Sequence, residues 1–239
     1  MNDYRRQRDM ADDEELSILF TAAGNDLVRA IEDCIELAGR RSAFERRLIE
    51  LLELAVDEGL DDPAGAVWIA LILGEIQSRP AIPALIRALT GSDEALAEAG
   101  VDAIMRIGEP AFEAIMQALD GAEEPEFEHA AYQALAGAAA WEHPYLLEEV
   151  RDFLLERLKR PALGARSLED AGLALARLGD RRALPVLKRI LKERFKGLNP
   201  ALQDAIEMLQ ENAAGVPIAT VVTPCRERVR WLTGDAFQT

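Results

Sequence analysis

The sequence predicts an all-α protein: a right-handed α-solenoid, or superhelix, of about 12–13 helices stacked in consecutive pairs. Three observations predict it. A two-part motif recurs at a fixed interval, apolar residues keep the 3.6-residue spacing of a helix, and start and stop residues punctuate the chain at matching places.

The interval is read from two stretches. Leu73-Gly74-Glu75-Ile76-Gln77-Ser78-Arg79-Pro80-Ala81-Ile82-Pro83-Ala84-Leu85 aligns with Leu175-Ala176-Arg177-Leu178-Gly179-Asp180-Arg181-Arg182-Ala183-Leu184-Pro185-Val186-Leu187. The offset is 102 residues, three periods of 34. A third copy, Ile107-Gly108-Glu109-Pro110-Ala111-Phe112-Glu113-Ala114-Ile115, has a loop one residue shorter, and a degenerate copy spans 131–140 and 144–155. Periods of this length mark stacked repeats, because one short unit cannot bury its own apolar face.

Each unit reads as two helices. The second carries apolar residues at i, i+3, i+4 and i+7: Ile82, Leu85, Ile86 and Leu89, then Phe112, Ile115, Met116 and Leu119. The last copy, with Leu184, Leu187, Ile190 and Leu191, has Lys188 in the i+4 slot. The first helix of each unit is rich in small residues, such as Gly74, Gly100, Ala103 and Gly172. An internal glycine costs a helix up to about 1 kcal/mol relative to Ala, so close packing is the expected compensation.

Helices are expected near 12–23, 25–39, 43–57, 64–77, 81–90, 93–106, 110–119, 126–140, 144–159, 167–178, 182–195, 199–212 and 225–232. Asp62-Pro63, Asn199-Pro200 and Thr223-Pro224 each set a capping side chain before a proline suited to a first turn. Ser42-Ala43-Phe44-Glu45 has the form of a capping box. The one strand-like run, Ile218 to Val222, reads as an extended connector. The domain organisation that follows is an N-terminal helical cap over 1–62, a repeat array over 63–212, and a connector with a capping helix over 213–239.

Residues 73–89 and 175–191 resemble the HEAT-like repeat of the phycobilisome-lyase (PBS lyase) type. The resemblance covers roughly residues 64–195; residues 1–60 match loosely, and 213–239 do not match. It implies helix pairs stacked into a curved solenoid whose second helices line the concave face. It also implies a prokaryotic setting in which the repeat serves bilin lyases or, widely, binds other proteins.

Charge narrows the function. With 27 Lys+Arg against 43 Asp+Glu the net charge is −16, and 49% of residues are apolar. Intrinsic disorder needs low hydrophobicity as well as high charge and is excluded. The charge is also uneven: −20 over residues 1–180 and +4 over the remainder. Residues 61–150 carry three arginines and 17 acids. That balance opposes the cationic channel through which HEAT-like alkylpurine glycosylases hold DNA, so no nucleic-acid partner is expected. The basic pole holds Arg181, Arg182, Lys188, Arg189, Lys192, Arg194 and Lys196 and offers a place for an acidic partner. The longest apolar stretch, Pro63–Gly74, falls short of the ~20 residues that span a bilayer. Met1–Ala11 has no apolar run of a secretory signal, so a cytoplasmic protein with no membrane partner is expected.

No catalytic, cofactor or metal site is expected. Glu128-His129 and Glu142-His143 are similar to the His-Glu dyads of HEAT-like deoxyhypusine hydroxylases, but reversed in order and two rather than four. Trp68, Tyr132 and Trp141 are the residues with which a bilin lyase would line a pocket, and helical spacing places them in the core. Cys34 falls in an apolar phase. Cys225, beside Arg226 and Arg228, has its thiolate favoured but no base nearby. The acidic run Glu123–Glu128 is expected as a solvated helix entry.

The function expected is a non-enzymatic scaffold or adaptor that binds a protein or peptide. Helical phase puts Arg87, Gln117, Glu149, Asp152, Glu156 and Arg189 on its binding face. A bilin lyase or chaperone-like accessory protein is the alternative, and an acidic nucleic-acid mimic the third reading.

Overall fold

A computed structural model describes residues 16, 24–58, 64–91, 93–121, 125–140 and 144–218. Among the described residues there are eleven α-helices and no strand. They fall into two compact units. The first holds α1 (Gly24–Arg40), α2 (Ser42–Glu58), α3 (Ala64–Glu75), α4 (Ile82–Ala88) and α5 (Glu94–Ile107). The second holds α6 (Glu109–Gly121), α7 (Pro125–Ala136), α8 (Pro144–Leu158), α9 (Ala165–Arg177), α10 (Ala183–Phe195) and α11 (Pro200–Glu211). The helices expected at 12–23 (of which only Leu16 is described) and 225–232 lie outside the described residues, as do Asp62-Pro63 and Thr223-Pro224.

Each unit has two layers. In the first, α1, α3 and α5 pack in succession, with α2 and α4 beside them. α3 is apolar all round, and Ala66 to Leu73 are all buried, as expected of a helix enclosed on every side. In the second unit α7, α9 and α11 pack in succession; α6 and α8 form the other layer, and α10 packs on α9 and α11. The second-helix stripes turn inward: Phe112, Ile115, Met116 and Leu119 are buried, as are Leu187 and Ile190.

The small residues sit where helices approach closest. A Cβ added to Gly74 would stand 2.5 Å from the Cα of Ala103, so α3 and α5 touch backbone to backbone. At Gly172 it would press on Leu187 and Leu202.

First helices end alike. The Ser78 N–H donates to Leu73 O (2.9 Å) and the Asp180 N–H to Leu175 O (2.9 Å), the paired 6→1 bonds of a Schellman motif. The residue before each, Gln77 (φ 54°) and Gly179 (φ 70°), is left-handed, as is Gly108 (φ 79°). The 3₁₀ turn Arg79–Ala81 then leads into α4.

Several local expectations are corrected. The helix expected over 126–140 stops at Ala136 and continues as a 3₁₀ turn through Ala140. The capping box does not form as such: α2 begins at Ser42 itself, and Glu45 accepts a hydrogen bond from the Ser78 hydroxyl (2.7 Å). Asn199 does cap α11, its Oδ1 accepting from the Leu202 N–H at 3.0 Å. The connector begins in place: Ile218 N–H donates to Arg177 O (2.7 Å), and Arg181 reaches Ala213 O (2.9 Å).

Candidate functional site

The second helices of the C-terminal unit each turn one charged stripe away from their core. On α6 the stripe is Glu109, Glu113, Gln117 and Asp120; on α8 it is Glu148, Glu149, Asp152 and Glu156, behind the exposed Tyr145; on α10 it is Lys188, Arg189 and Lys192, behind the exposed Pro185, followed by Lys196 at the left-handed residue just past the helix end. The spacings on α8 and α10 are identical, at an offset of 40 residues. Each spans an arc of about 100° opposite the buried side, from the 3.6-residue turn. The stripes of α6 and α8 are therefore both acidic, and the sign reverses between α8 and α10.

The acids of α8 are largely paired within the chain. Glu148 accepts from Arg151 (2.5 Å), Asp152 from Arg182 (2.6 Å) and Glu156 from Lys159 (2.6 Å). Arg182 is held in a fork on the buried Asp180, with both contacts at 2.8 Å, which raises its already high pKa. Arg151 also donates to the Leu178 carbonyl and reaches Gly215 O (3.3 Å), fastening α8 to the turn after α9 and to the connector.

All six residues assigned to a binding face are exposed. Arg87, in the first unit, pairs with Glu53 at 2.9 Å. The other five belong to the second unit: Gln117 on α6, Glu149, Asp152 and Glu156 on one stripe of α8, and Arg189 on α10.

Beneath these stripes lies a polar cluster that helical phase did not reveal. Arg157, 3% exposed, donates to Tyr132 Oη (2.9 Å), Leu119 O (2.7 Å) and Glu128 Oε1 (2.8 Å). The Ser167 hydroxyl donates to the other Glu128 oxygen, and the guanidinium stacks near the Tyr132 and Phe153 rings. One arginine thus joins α6, α7 and α8, and its partner Glu128 carries the network on to α9 through Ser167. Burial pushes the Tyr132 hydroxyl pKa above its usual value, against the smaller opposing pull of Arg157. This corrects the expectation of a solvated run at Glu128, a buried carboxylate with a charged partner; Glu126 is exposed as expected, and Glu123 and Glu124 lie outside the described residues.

His129, expected on the surface, is half-buried. Its Nδ1 lies 2.9 Å from Asp170 Oδ1, off the axis of a hydrogen bond, and Gln133 Nε2 approaches its Nε2 at 2.8 Å. These residues edge a cleft of about 90 Å³ between α7 and α9 that also includes Leu173 and Arg177. Among the described residues no group of three His, Cys, Asp or Glu is placed to hold a metal ion. His143, Trp141 and Cys225 lie outside the described residues. Trp68 and Tyr132 are buried, and so is Cys34 on α1. Among the described residues no helix is long and apolar enough to cross a membrane.

The sequence comparisons agree with the repeat spacing. Residues 48–136 match HEAT repeats, and residues 168–193, most of α9 and α10, match the PBS lyase HEAT-like repeat. No curated protein matches the chain. Among solved structures, the crystal structure of an engineered protein is 18% identical with a TM-score of 0.41, the match covering 87% of this chain and 98% of that one. The complex of CpcE and CpcF of phycocyanin lyase from Nostoc sp. is 19% identical with a TM-score of 0.37, covering 84% of this chain and 94% of that one.

Proposed function

We propose that this chain of HEAT-like repeats is a non-enzymatic scaffold that binds a protein or peptide on the exposed faces of its second helices. The observation that carries the reading is the ordered stripes of α6, α8 and α10. Each is a continuous polar face turned away from a fully formed core, and the change of sign from the acidic α6 and α8 to the basic α10 gives a pattern that a complementary surface reads in register. The buried Arg157 cluster supports it by fixing α8 against α6, α7 and α9, so that the stripes are held by a rigid frame. Repeat arrays of this kind use such extended surfaces for docking.

Crosslinking at low salt in host lysate, read by mass spectrometry, tests it. Crosslinks from another protein to α6, α8 or α10 are expected. Recovery of no crosslinked protein, or crosslinks confined to α7, α9 and α11, overturns the reading.

A second reading, a lyase or chaperone-like accessory for a tetrapyrrole-bearing protein, draws on the PBS lyase HEAT-like match over residues 168–193. It requires a shift in bilin absorbance when the pigment is mixed with the chain.

A further inference from the structure

Unlike the acids of α8, the cations of the α10 stripe have no ion-pair counterpart among the described residues. Lys188, Arg189, Lys192 and Lys196 are exposed, and none has an ion pair or side-chain hydrogen bond among the described residues. Their basic neighbours are engaged: Arg182 on Asp180 and Asp152, Arg194 on Leu163 O (3.0 Å), Arg160 on Asp120 (2.8 Å), Arg157 on Glu128. In a chain with 43 acidic and 27 basic residues, four neighbouring cations make no ion pair among the described residues.

Helix electrostatics explain only half of them. Cations in a last turn complement the helix dipole, which accounts for Lys192 and Lys196 but not for Lys188 and Arg189, farther from the C-terminus. Lys188–Lys192 is moreover a like-charge pair four residues apart, which opposes helix formation. Among the described residues no ion pair relieves this stripe; Glu193, four residues after Arg189 on the same helix, makes none.

We infer that this stripe is the docking site for an acidic segment of another protein, a helix of two to three turns with carboxylates three or four residues apart. The inference rests on the scaffold reading and narrows it to a partner class. From Lys188 to Lys196 the stripe runs about 12 Å along the axis, at 1.5 Å per residue. A single helix, roughly 10 Å across, covers that stripe alone. A nucleic acid is a broader polyanion and also meets the acidic stripe of α8, whose Asp152 reaches Arg182 at the start of α10 (2.6 Å). The same acidic stripe sets the register of a protein partner by repelling a misplaced carboxylate.

Fluorescence anisotropy on the full chain tests this, with a labelled amphipathic helical peptide carrying glutamates at i, i+4 and i+8, and its glutamine counterpart. The glutamate peptide binds at low salt and is released at high salt. Lys188→Glu with Arg189→Glu weakens it at least about tenfold, two exposed ion pairs being lost and two repulsions gained. Arg166→Glu, an exposed cation on α9, leaves binding unchanged. Lys188→Glu alone leaves the melting temperature equal or higher, because the new carboxylate sits four residues before Lys192 in the favourable order. Binding that falls while stability holds separates a docking role from a structural one.

Equal affinity of the double variant, or of the glutamine peptide, overturns the proposal. So does equal binding of a single-stranded oligonucleotide. A doubled mass in light scattering that the double variant abolishes also overturns it, by placing a second copy of the chain on the stripe. If the peptide fails while lysate crosslinks still fall on α6 or α8, this assignment alone is lost; if no protein is crosslinked anywhere, the scaffold reading is lost with it.

Discussion

Replacing Arg157 by methionine removes the group that joins α6, α7 and α8 and, through Glu128, α9. The side chain is 3% exposed and serves a carboxylate, a carbonyl and a hydroxyl at 2.7–2.9 Å. Methionine fills much of the volume, so the loss is electrostatic rather than steric. Glu128 is then a buried carboxylate left with the Ser167 hydroxyl, and Leu119 O at the end of α6 loses its side-chain donor. Breaking a buried pair in this way costs about 3–5 kcal/mol. Urea unfolding followed by circular dichroism measures the change. The double variant Arg157→Met/Glu128→Leu is expected to regain about 1–2 kcal/mol of the loss, since an apolar pair of similar volume removes the stranded charge. A single-variant loss below about 1 kcal/mol, or a double variant no more stable than the single, refutes the assignment of this cluster as the frame of the second unit.

Other expectations follow from the same geometry. Gly179→Ala forces an L-residue to φ 70° and sets a Cβ 2.7 Å from Gly215 O, so it costs more than about 1–2 kcal/mol and frees the connector, visible as faster hydrogen exchange at Ile218. Asn199→Ala removes the cap of α11 and the bond to Glu169 (2.6 Å), lowering stability by roughly 1 kcal/mol in the same urea assay. Tyr132 is expected to resist ionisation as pH passes 10.0 in ultraviolet titration. Its raised pKa in the folded state means that its contribution is fully present below the unfolded value and lost as pH rises through the folded one, so alkaline destabilisation sets in once pH passes the unfolded value.

The helices were legible because their signals are local. A stripe such as Phe112, Ile115, Met116 and Leu119 needs one helix to be read, and it is buried as read. The Leu-Gly stop recurs because a left-handed residue ends the first helix; Gln77 takes that conformation without being glycine and was invisible to a search for glycines. The capping box misled because Glu45 has a better partner in Ser78, 33 residues on. The polar frame was missed for the same reason. Arg157 pairs with Glu128 across 29 residues, Arg106 with Glu75 across 31, Arg182 with Asp152 across 30 and Arg87 with Glu53 across 34. These separations lie near the repeat period, so they join one repeat to the next. The signal was present: Arg157 sits in the apolar phase of Val150 and Leu154, and Glu128 in that of Ala131 and Leu135. A charge in a core phase on each of two neighbouring repeats, one acid and one base, is the pattern to search for. The six surface positions were legible as exposed, but the contrast that distinguishes them was not. That the acids of α8 are paired internally and the bases of α10 are not depends on Arg151, Arg182 and Lys159, whose contacts only the packed structure defines.

The central claim is that recognition occurs on second helices and is strongest on α10. Hydrogen exchange of the full chain, with and without the glutamate peptide, tests it directly. Added protection is predicted along Ala183–Phe195, weaker in α8 and absent from α7 and α11. Protection confined to α7, α9 or α11, or no protection under conditions where the peptide is bound, contradicts it.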